Sequence, residues 1–336
     1  MKKIQYLNIL RVISMLFVIL LHCIKDYIVS VGLFNTKTWW ACNVVNSLVR
    51  SGVPLFFMIS GFLLLSSEKT ANFAVFYKKR LVRVLIPFFC WNIIYFVYYS
   101  FANGEGIDLV KFFRELVYNG SAYHFWFVYT MVGIYLLMPF LKRIVDNCST
   151  KQLIWFFVLA IFAGTIRPFI NICLGTDIYI FNVLLDGYIG YFLLGYILGK
   201  IDLSKRTKTL AYIGGIAGMF IGVAGNFLFS SKDGLNLLFN GGYMINHFLC
   251  AAAIFVFFKG RKPIENIKIS NFIEKVSTLT FAVYLMHVLV LDVLQWYYAD
   301  FVPYVDIAVK FLVTSAISFL IAYIISKIKG VNKILI

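Results

Sequence analysis

The chain has 336 residues, of which 61% are apolar and 14% are charged, and its mean hydropathy is +0.85. Soluble chains carry about 45–50% apolar and about 25% charged residues, so the composition excludes an ordinary soluble protein. The aromatic content of 18% excludes a disordered chain, and the net charge of +16 fits the cytoplasmic loops of a membrane protein better than a nucleic-acid-binding surface. We predict an all-α polytopic membrane protein.

About 20 apolar residues cross a bilayer as a helix, and ten stretches of the sequence meet this length. In chain order they are 6–26, 44–65, 82–101, 124–141, 152–172, 180–199, 210–229, 242–258, 278–298 and 306–326. The first is too long for a cleaved signal peptide and lacks a small-residue cleavage site. An even number of spans places both termini on the same side of the membrane.

Lysine and arginine are concentrated in alternate loops, on the side that carries the termini. The richest positions are Lys78-Lys79-Arg80, Lys142-Arg143, Lys205-Arg206, Arg261-Lys262 and the C-terminal Lys327, Lys329 and Lys333. The positive-inside rule therefore predicts that both termini are cytoplasmic. No further domain is visible, so residues 1–336 are expected to form a single integral-membrane domain.

The first span carries the strongest candidates for chemistry, because ionisable groups inside a membrane are costly. Arg11 and His22 lie eleven residues apart, which places them on one helix face about 16 Å apart along the axis. Arg11 suits an anion, His22 can exchange a proton near neutral pH, and Asp26, one turn on, can orient its ring. The structural alternative is that Arg11 reaches the headgroups and His22 makes a helix–helix hydrogen bond.

A second cationic element, Arg80 and Arg83, has the i, i+3 spacing of one helix face and suits bidentate binding of phosphate. Its alternative role is a topology signal that flanks a span. Arg50, His124 and Trp126 are predicted at the outer ends of spans, where an aromatic belt also explains the tryptophan. Four further polar residues within or near spans rank lower, namely Asp186, His247, His287 and Asp292.

Repeated glycines in later spans indicate close helix packing, because they recur at four-residue spacing at Gly195 and Gly199 and from Gly214 to Gly222. They neither follow a predicted strand nor precede a Gly-Lys-Ser/Thr sequence, so a phosphate loop is not expected. The cysteines are scattered singly, without a CxxC pair or a Cys/His cluster, and no metal site is predicted.

Several of these segments, in this order, resemble the membrane-bound acyltransferase-3 family. Arg11, ten residues and His22 are similar to its R-x10-H signature, and the run from Ser51 to Phe62 is similar to its second-span signature. Arg80-Leu81-Val82-Arg83 resembles its cytoplasmic RxxR element. The segments 123–139 and 284–287 also resemble the family, so the likeness covers most of the chain.

The resemblance implies transfer of an acyl group, usually acetyl, from cytoplasmic acyl-CoA to a hydroxyl of a cell-surface glycan or related acceptor. On this basis we predict that His22 is the general base and that Arg11 and Asp26 belong to the catalytic set. Arg11, Arg80 and Arg83 are expected to bind the anionic donor. Arg50, His124 and Trp126 are expected on the acceptor side.

The expected partners are acyl-CoA, an extracytoplasmic glycan or lipid-linked acceptor, membrane lipid and polysaccharide-assembly proteins, and not nucleic acid. Acyl-CoA is a donor substrate, and no tightly bound cofactor is expected. The resemblance and the Lys- and Ile-rich composition favour a bacterial plasma membrane. The alternative function is an exporter or assembly component for a surface polysaccharide or lipid-linked glycan. The two are distinguished by dependence on acyl-CoA.

Overall fold

The computed structural model describes residues 5–174, 187–295 and 302–336. These residues are mainly helical and contain no β-strand beyond an isolated bridge between Ser231 and Gly234, which confirms the all-α prediction. The helices are α1 Gln5–Val29, α2 Lys37–Val49, α3 Gly52–Leu65, α4 Phe73–Phe76, α5 Val82–Ala102, α6 Leu109–Tyr118, α7 Trp126–Asn147, α8 Thr150–Leu174, α9 Gly187–Lys200, α10 Lys205–Leu228, α11 Ile245–Lys259, α12 Ile267–Gln295, α13 Pro303–Lys327 and α14 Asn332–Leu335.

Eight helical stretches among the described residues are long and apolar enough to cross a membrane, so this is a multi-pass membrane protein. They are Gln5–Val29, Lys37–Leu65, Phe73–Ala102, Leu109–Asn147, Lys205–Leu228, Leu238–Lys259, Ile267–Gln295 and Pro303–Lys327. Each overlaps one of the ten predicted spans. The predicted span 152–172 coincides with α8. The predicted span 180–199 lies partly outside the described residues and ends in α9.

The second span is broken into two helices at Arg50 and Ser51. It starts at Lys37, earlier than the predicted 44, because Thr36 caps α2 by accepting a hydrogen bond from the Trp39 amide. At the break, a Cβ atom on Gly52 would lie 2.8 Å from the Ser14 carbonyl oxygen. The backbone of Gly52 is therefore in close contact with the backbone of α1. Arg50 therefore lies near the middle of the Lys37–Leu65 stretch, whereas the sequence predicts it at the outer end of a span.

Helices α3 and α9 pack with their backbones in contact. A Cβ atom on Gly61 would lie 2.2 Å from the Phe192 carbonyl oxygen, and one on Gly195 would lie 2.0 Å from that of Met58. Such distances leave no room for any side chain, which confirms the packing interpretation of the glycine spacing. This contact holds α9 firmly beside α3.

Helix α1 packs against α12 and α3, and this arrangement positions the candidate site. Its apolar positions Leu7, Leu10, Met15 and Ile19 are fully buried. The polar positions Arg11 and His22 both face α12, because Arg11 shares a cavity with Thr280 and the His22 ring contacts His287. The prediction that Arg11 and His22 lie on one face of the first helix is therefore confirmed.

Candidate active site

Three of the four histidines of the chain meet between α1, α7 and α12. His22 comes from α1, His124 from the 3-10 turn that precedes α7, and His287 from α12. The ring centroid of His287 lies 5.2 Å from that of His22 and 5.1 Å from that of His124. The His22 and His124 centroids lie 6.4 Å apart. We refer to His22, His124 and His287 as the histidine cluster.

Tyrosines and backbone carbonyls orient the cluster. His22 Nδ1 and the Tyr123 hydroxyl are hydrogen-bonded at 3.0 Å. His287 Nδ1–H donates to the Tyr284 carbonyl at 2.7 Å, and the Tyr284 hydroxyl donates to the His124 carbonyl. Donation from Nδ1 leaves a lone pair on His287 Nε2, which is buried and has no partner among the described residues. Because buried polar atoms normally have partners, this nitrogen is available to a further hydrogen-bonding group.

Helix α5 fixes the cluster from the opposite side. The Tyr95 hydroxyl accepts a hydrogen bond from the Leu289 amide at 2.8 Å, and the Tyr95 ring lies 5.5 Å from the His124 ring. One turn further, the Tyr99 hydroxyl donates to the Asp292 carboxylate at 2.6 Å. Both bonds join α5 to α12, so they restrict the separation of the two helices in the turns that directly follow His287. The cluster is thus supported by elements distant in sequence.

A cavity of about 170 Å³ leads from Arg11 to the residues that hold the cluster. Arg11, Ser60 and Tyr135 contribute polar groups to its wall, and Tyr284 also lines it. A guanidinium nitrogen of Arg11 donates to Asn8 Oδ1 at 3.4 Å, and Arg80 lies close enough to interact electrostatically with both Arg11 and Tyr135. We call this the arginine cavity. Its wall holds a cationic group at Arg11 and also Tyr284, whose hydroxyl is hydrogen-bonded to the His124 carbonyl.

A second cavity, of about 270 Å³, lies beside the end of α5, α6 and the segment 120–123. Tyr123 lines it, and the same tyrosine is hydrogen-bonded to His22. We call this the tyrosine cavity. The two cavities therefore approach the histidine cluster through different residues, Tyr284 from the arginine cavity and Tyr123 from the tyrosine cavity.

The comparison with protein families decides what kind of protein holds this arrangement. Residues 4–327 match the family model Acyl_transf_3, whose description is an acyltransferase domain. The chain belongs to the acyltransferase-3 family. Searches of curated proteins and of solved structures each returned no match. The family assignment makes the protein a membrane acyltransferase and confirms the resemblance drawn from the sequence motifs.

The acyltransferase-3 motif residues on the arginine side occupy a wide helical turn. Tyr77–Leu81 form a π-helix that continues into α5, so Arg80 lies in the π turn and Arg83 in the first turn of α5. Both side chains are exposed. Single π turns occur frequently at functional sites. Arg80 lies close enough to Arg11 to interact with it electrostatically, and the roles of Arg80 and Arg83 in donor binding stay predictions.

Two predicted residues near the cluster have defined surroundings. Asp26 is exposed, and the hydrogen-bond partner of His22 Nδ1 is Tyr123. Trp126 is 37% exposed, and its ring lies 5.3 Å from that of Tyr188. The catalytic role of Asp26 and the acceptor role of Trp126 stay predictions.

Arg50 belongs to a separate polar group that joins α2 to the segment before α11. Its Nε donates to Asn46 Oδ1 at 3.0 Å, and a terminal nitrogen donates to the Asn240 carbonyl at 2.7 Å. Asn46 and Asn226 each donate to Asn240 Oδ1, at 2.7 and 2.9 Å. These bonds connect α2 to the segment before α11 and to α10. They show Arg50 bound to protein groups, so its contact with an acceptor stays a prediction.

Sequence reasoning did not single out Tyr123 or Tyr284 and ranked His287 below His22, whereas the structure places all three at the histidine cluster. Tyr284 and His287 have i, i+3 spacing, which is a readable signal of a shared helix face. Tyr123 begins the segment 123–139 that resembles the family, and nothing local relates it to His22, which lies 101 residues away. Asp186, another ranked residue, lies outside the described residues.

Proposed function

We propose that the protein transfers an acyl group, most simply acetyl, from cytoplasmic acyl-CoA to a hydroxyl of an extracytoplasmic glycan or related acceptor, in a bacterial plasma membrane. The observation that carries this proposal is the position of the histidine cluster between the arginine cavity and the tyrosine cavity. A donor reaching the cluster from one side and an acceptor from the other meet without either substrate crossing the membrane.

The arginine cavity suits the donor. Coenzyme A carries several phosphate charges, and guanidinium groups bind phosphate bidentately. Arg80 and Arg83 are exposed at the start of α5, and Arg11 lines the cavity itself. Beyond Arg11 the wall is largely apolar, with Phe56, Val128 and Met131. This change from cationic to apolar surroundings fits the phosphates of coenzyme A at the entrance of the cavity and the thioester further in.

His22 is assigned as the general base. The acceptor oxygen attacks the thioester carbonyl carbon while His22 takes the hydroxyl proton. The tetrahedral intermediate then collapses, the carbon–sulfur bond breaks, and His22 returns the proton to the leaving thiolate. The products are an ester and free coenzyme A. Tyr123, bonded to His22 Nδ1, fixes the orientation of the ring.

The oxyanion of the tetrahedral intermediate requires a hydrogen-bond donor. We assign this role to His124, whose ring centroid lies 6.4 Å from that of His22. His124 is 2% exposed, so a donor bond made there is shielded from water and is correspondingly strong.

The test is transfer of labelled acetyl from acetyl-CoA in membranes that contain the protein and native acceptors. We expect His22→Ala to lower transfer by about 10²–10⁴-fold, the usual contribution of a positioned general base. His247→Ala is the matched control, since His247 is also a buried helical histidine but lies outside the cluster. Both variants are compared at equal abundance in the membrane.

Two results would contradict the proposal. Full transfer by the His22→Ala variant would refute the general-base role of His22 but would leave the acyltransferase activity supported. No transfer by the wild-type protein from acetyl-CoA, succinyl-CoA or longer donors would favour the exporter or assembly alternative.

A further inference from the structure

The tyrosine cavity has features of a built binding site. Its wall combines aromatic, hydroxyl, amide and charged groups from α5, α6 and the turn before α7, including Tyr99, Ser100, Asn103, Glu115, Ser121 and Tyr123. An adjoining cavity of about 370 Å³ shares Tyr99 and Asn103 and adds Asp292. Together they form a groove that ends at Tyr123, the hydrogen-bond partner of His22.

An unpartnered hydroxyl in this wall points to a ligand. Ser121 is 8% exposed, and its Oγ has no hydrogen-bond partner among the described residues. The serine is held in place, because its amide donates to Asn92 Oδ1 at 2.9 Å and the preceding Gly120 makes a turn with φ +79°. A buried hydroxyl without a partner is costly, and a polar ligand in the cavity supplies that partner.

The charge in and around the groove is predominantly negative. Glu105 pairs with Lys111, which neutralises both. Glu115 and Asp292 remain as carboxylates, and neither forms an ion pair within the described residues. At the rim, the Lys25 ammonium lies 4.3 Å from the Tyr123 ring centroid.

The neighbouring Asp26 carries the opposite charge to Lys25, and both lie close enough to Asp292 to interact with it electrostatically. Tyr98 and Tyr99 line the same groove and offer ring faces for the C–H surface of a sugar, with hydroxyl groups at their edges.

We propose that this groove binds the acceptor sugar and selects uncharged or amine-bearing sugars over acidic ones. The proposal rests on the acyl transfer proposed above and specifies its acceptor class. Two unpaired carboxylates repel an acidic sugar, and two unit charges about 4 Å apart interact by about 1 kcal/mol even in bulk water. An acidic sugar is therefore expected to bind at least about tenfold more weakly than its neutral counterpart.

The experiment measures competition with labelled transfer to native acceptors in membranes. The competitors are methyl glucoside, methyl glucosaminide and methyl glucuronide, which share one ring and differ in charge. We expect the first two to inhibit at concentrations at least about tenfold lower than the glucuronide. Glu115→Gln should reduce the ratio of the inhibitory concentration of the glucuronide to that of the glucoside. Glu115→Lys should abolish or invert this ratio. Asp233→Asn, an exposed carboxylate in the loop after α10, is the control that leaves the ratio unchanged.

The outcomes separate the two proposals. Absence of labelled product in wild-type membranes overturns the acyl transfer and the acceptor assignment with it. Normal labelling with no inhibition by any of the three glycosides overturns the acceptor assignment alone. The same holds if the glucuronide inhibits as well as the glucoside, or if the Glu115 variants keep the wild-type ratio.

Discussion

The hydrogen bond between Tyr123 and His22 makes a specific prediction about catalysis. Tyr123→Phe removes the hydroxyl that lies 3.0 Å from His22 Nδ1 and keeps the ring that packs against His22. This is the one hydrogen bond of the His22 ring within the described residues. Without it the imidazole loses the partner that fixes its tautomer and orientation, while its contacts with His287 remain.

The size of the effect follows from the loss of one hydrogen bond at a buried site. Such a loss costs about 1–3 kcal/mol, and each 1.36 kcal/mol lowers a rate tenfold. We therefore expect kcat to fall by about 10–100-fold, which is less than for His22→Ala because the base itself is kept. The abundance of the protein should not change, because the substitution removes one atom and leaves the packing intact.

The assay is acetyl transfer under saturating acetyl-CoA and varied acceptor, which separates kcat from the acceptor KM. A fall in kcat indicates loss of His22 orientation, whereas a rise in KM alone indicates that Tyr123 contacts the acceptor. Tyr118→Phe is the matched control, since Tyr118 is 88% exposed on α6. Wild-type kcat in Tyr123→Phe would refute the positioning role of this tyrosine.

Two further predictions concern the donor and the helix packing. Arg80→Ala should raise the KM for acetyl-CoA by about tenfold through loss of a charged hydrogen bond, while Lys79→Ala, an exposed neighbour in the same π turn, should not. Equal KM values in the two variants would indicate that Arg80 acts only as a topology signal and does not bind the donor. Gly195→Ala should lower the melting temperature in detergent, because its Cβ would lie 2.0 Å from the Met58 carbonyl oxygen and overpacking costs about 1–3 kcal/mol. A Cβ atom at Gly133 would meet nothing within 4 Å, so the Gly133→Ala variant should melt at or above the wild-type temperature. A similar fall in melting temperature in both variants would argue against the backbone contact between Gly195 and Met58.

The sequence was sufficient for the features that depend on local periodicity and length. The apolar stretches predicted the spans because crossing a bilayer requires a fixed helix length. The eleven-residue spacing placed Arg11 and His22 on one face because an α-helix has 3.6 residues per turn. The glycine spacing predicted close packing at Gly195, where the structure shows backbone contact.

The remaining features depend on which helices become neighbours. His124 and His287 join His22 because α1, α7 and α12 meet, and no short-range pattern specifies that meeting. The break after Arg50 arises where Gly52 passes the backbone of α1, which is also a tertiary contact. Helix α6 was not predicted from the sequence. Asp108 caps this helix by accepting hydrogen bonds from two backbone amides of its first turn.

The separation of the arginine cavity from the tyrosine cavity has an electrical consequence. A channel or carrier must open a passage as wide as its cargo, and any water-filled passage lets ions dissipate the membrane voltage. Each unit charge that moves through 100 mV releases about 2.3 kcal/mol, so such leaks are costly to a cell. In the acyl transfer proposed above, only a small neutral acyl group has to pass from the arginine cavity to the tyrosine cavity. Under this proposal, an acyl group is delivered across the bilayer without a water-filled passage that would conduct ions.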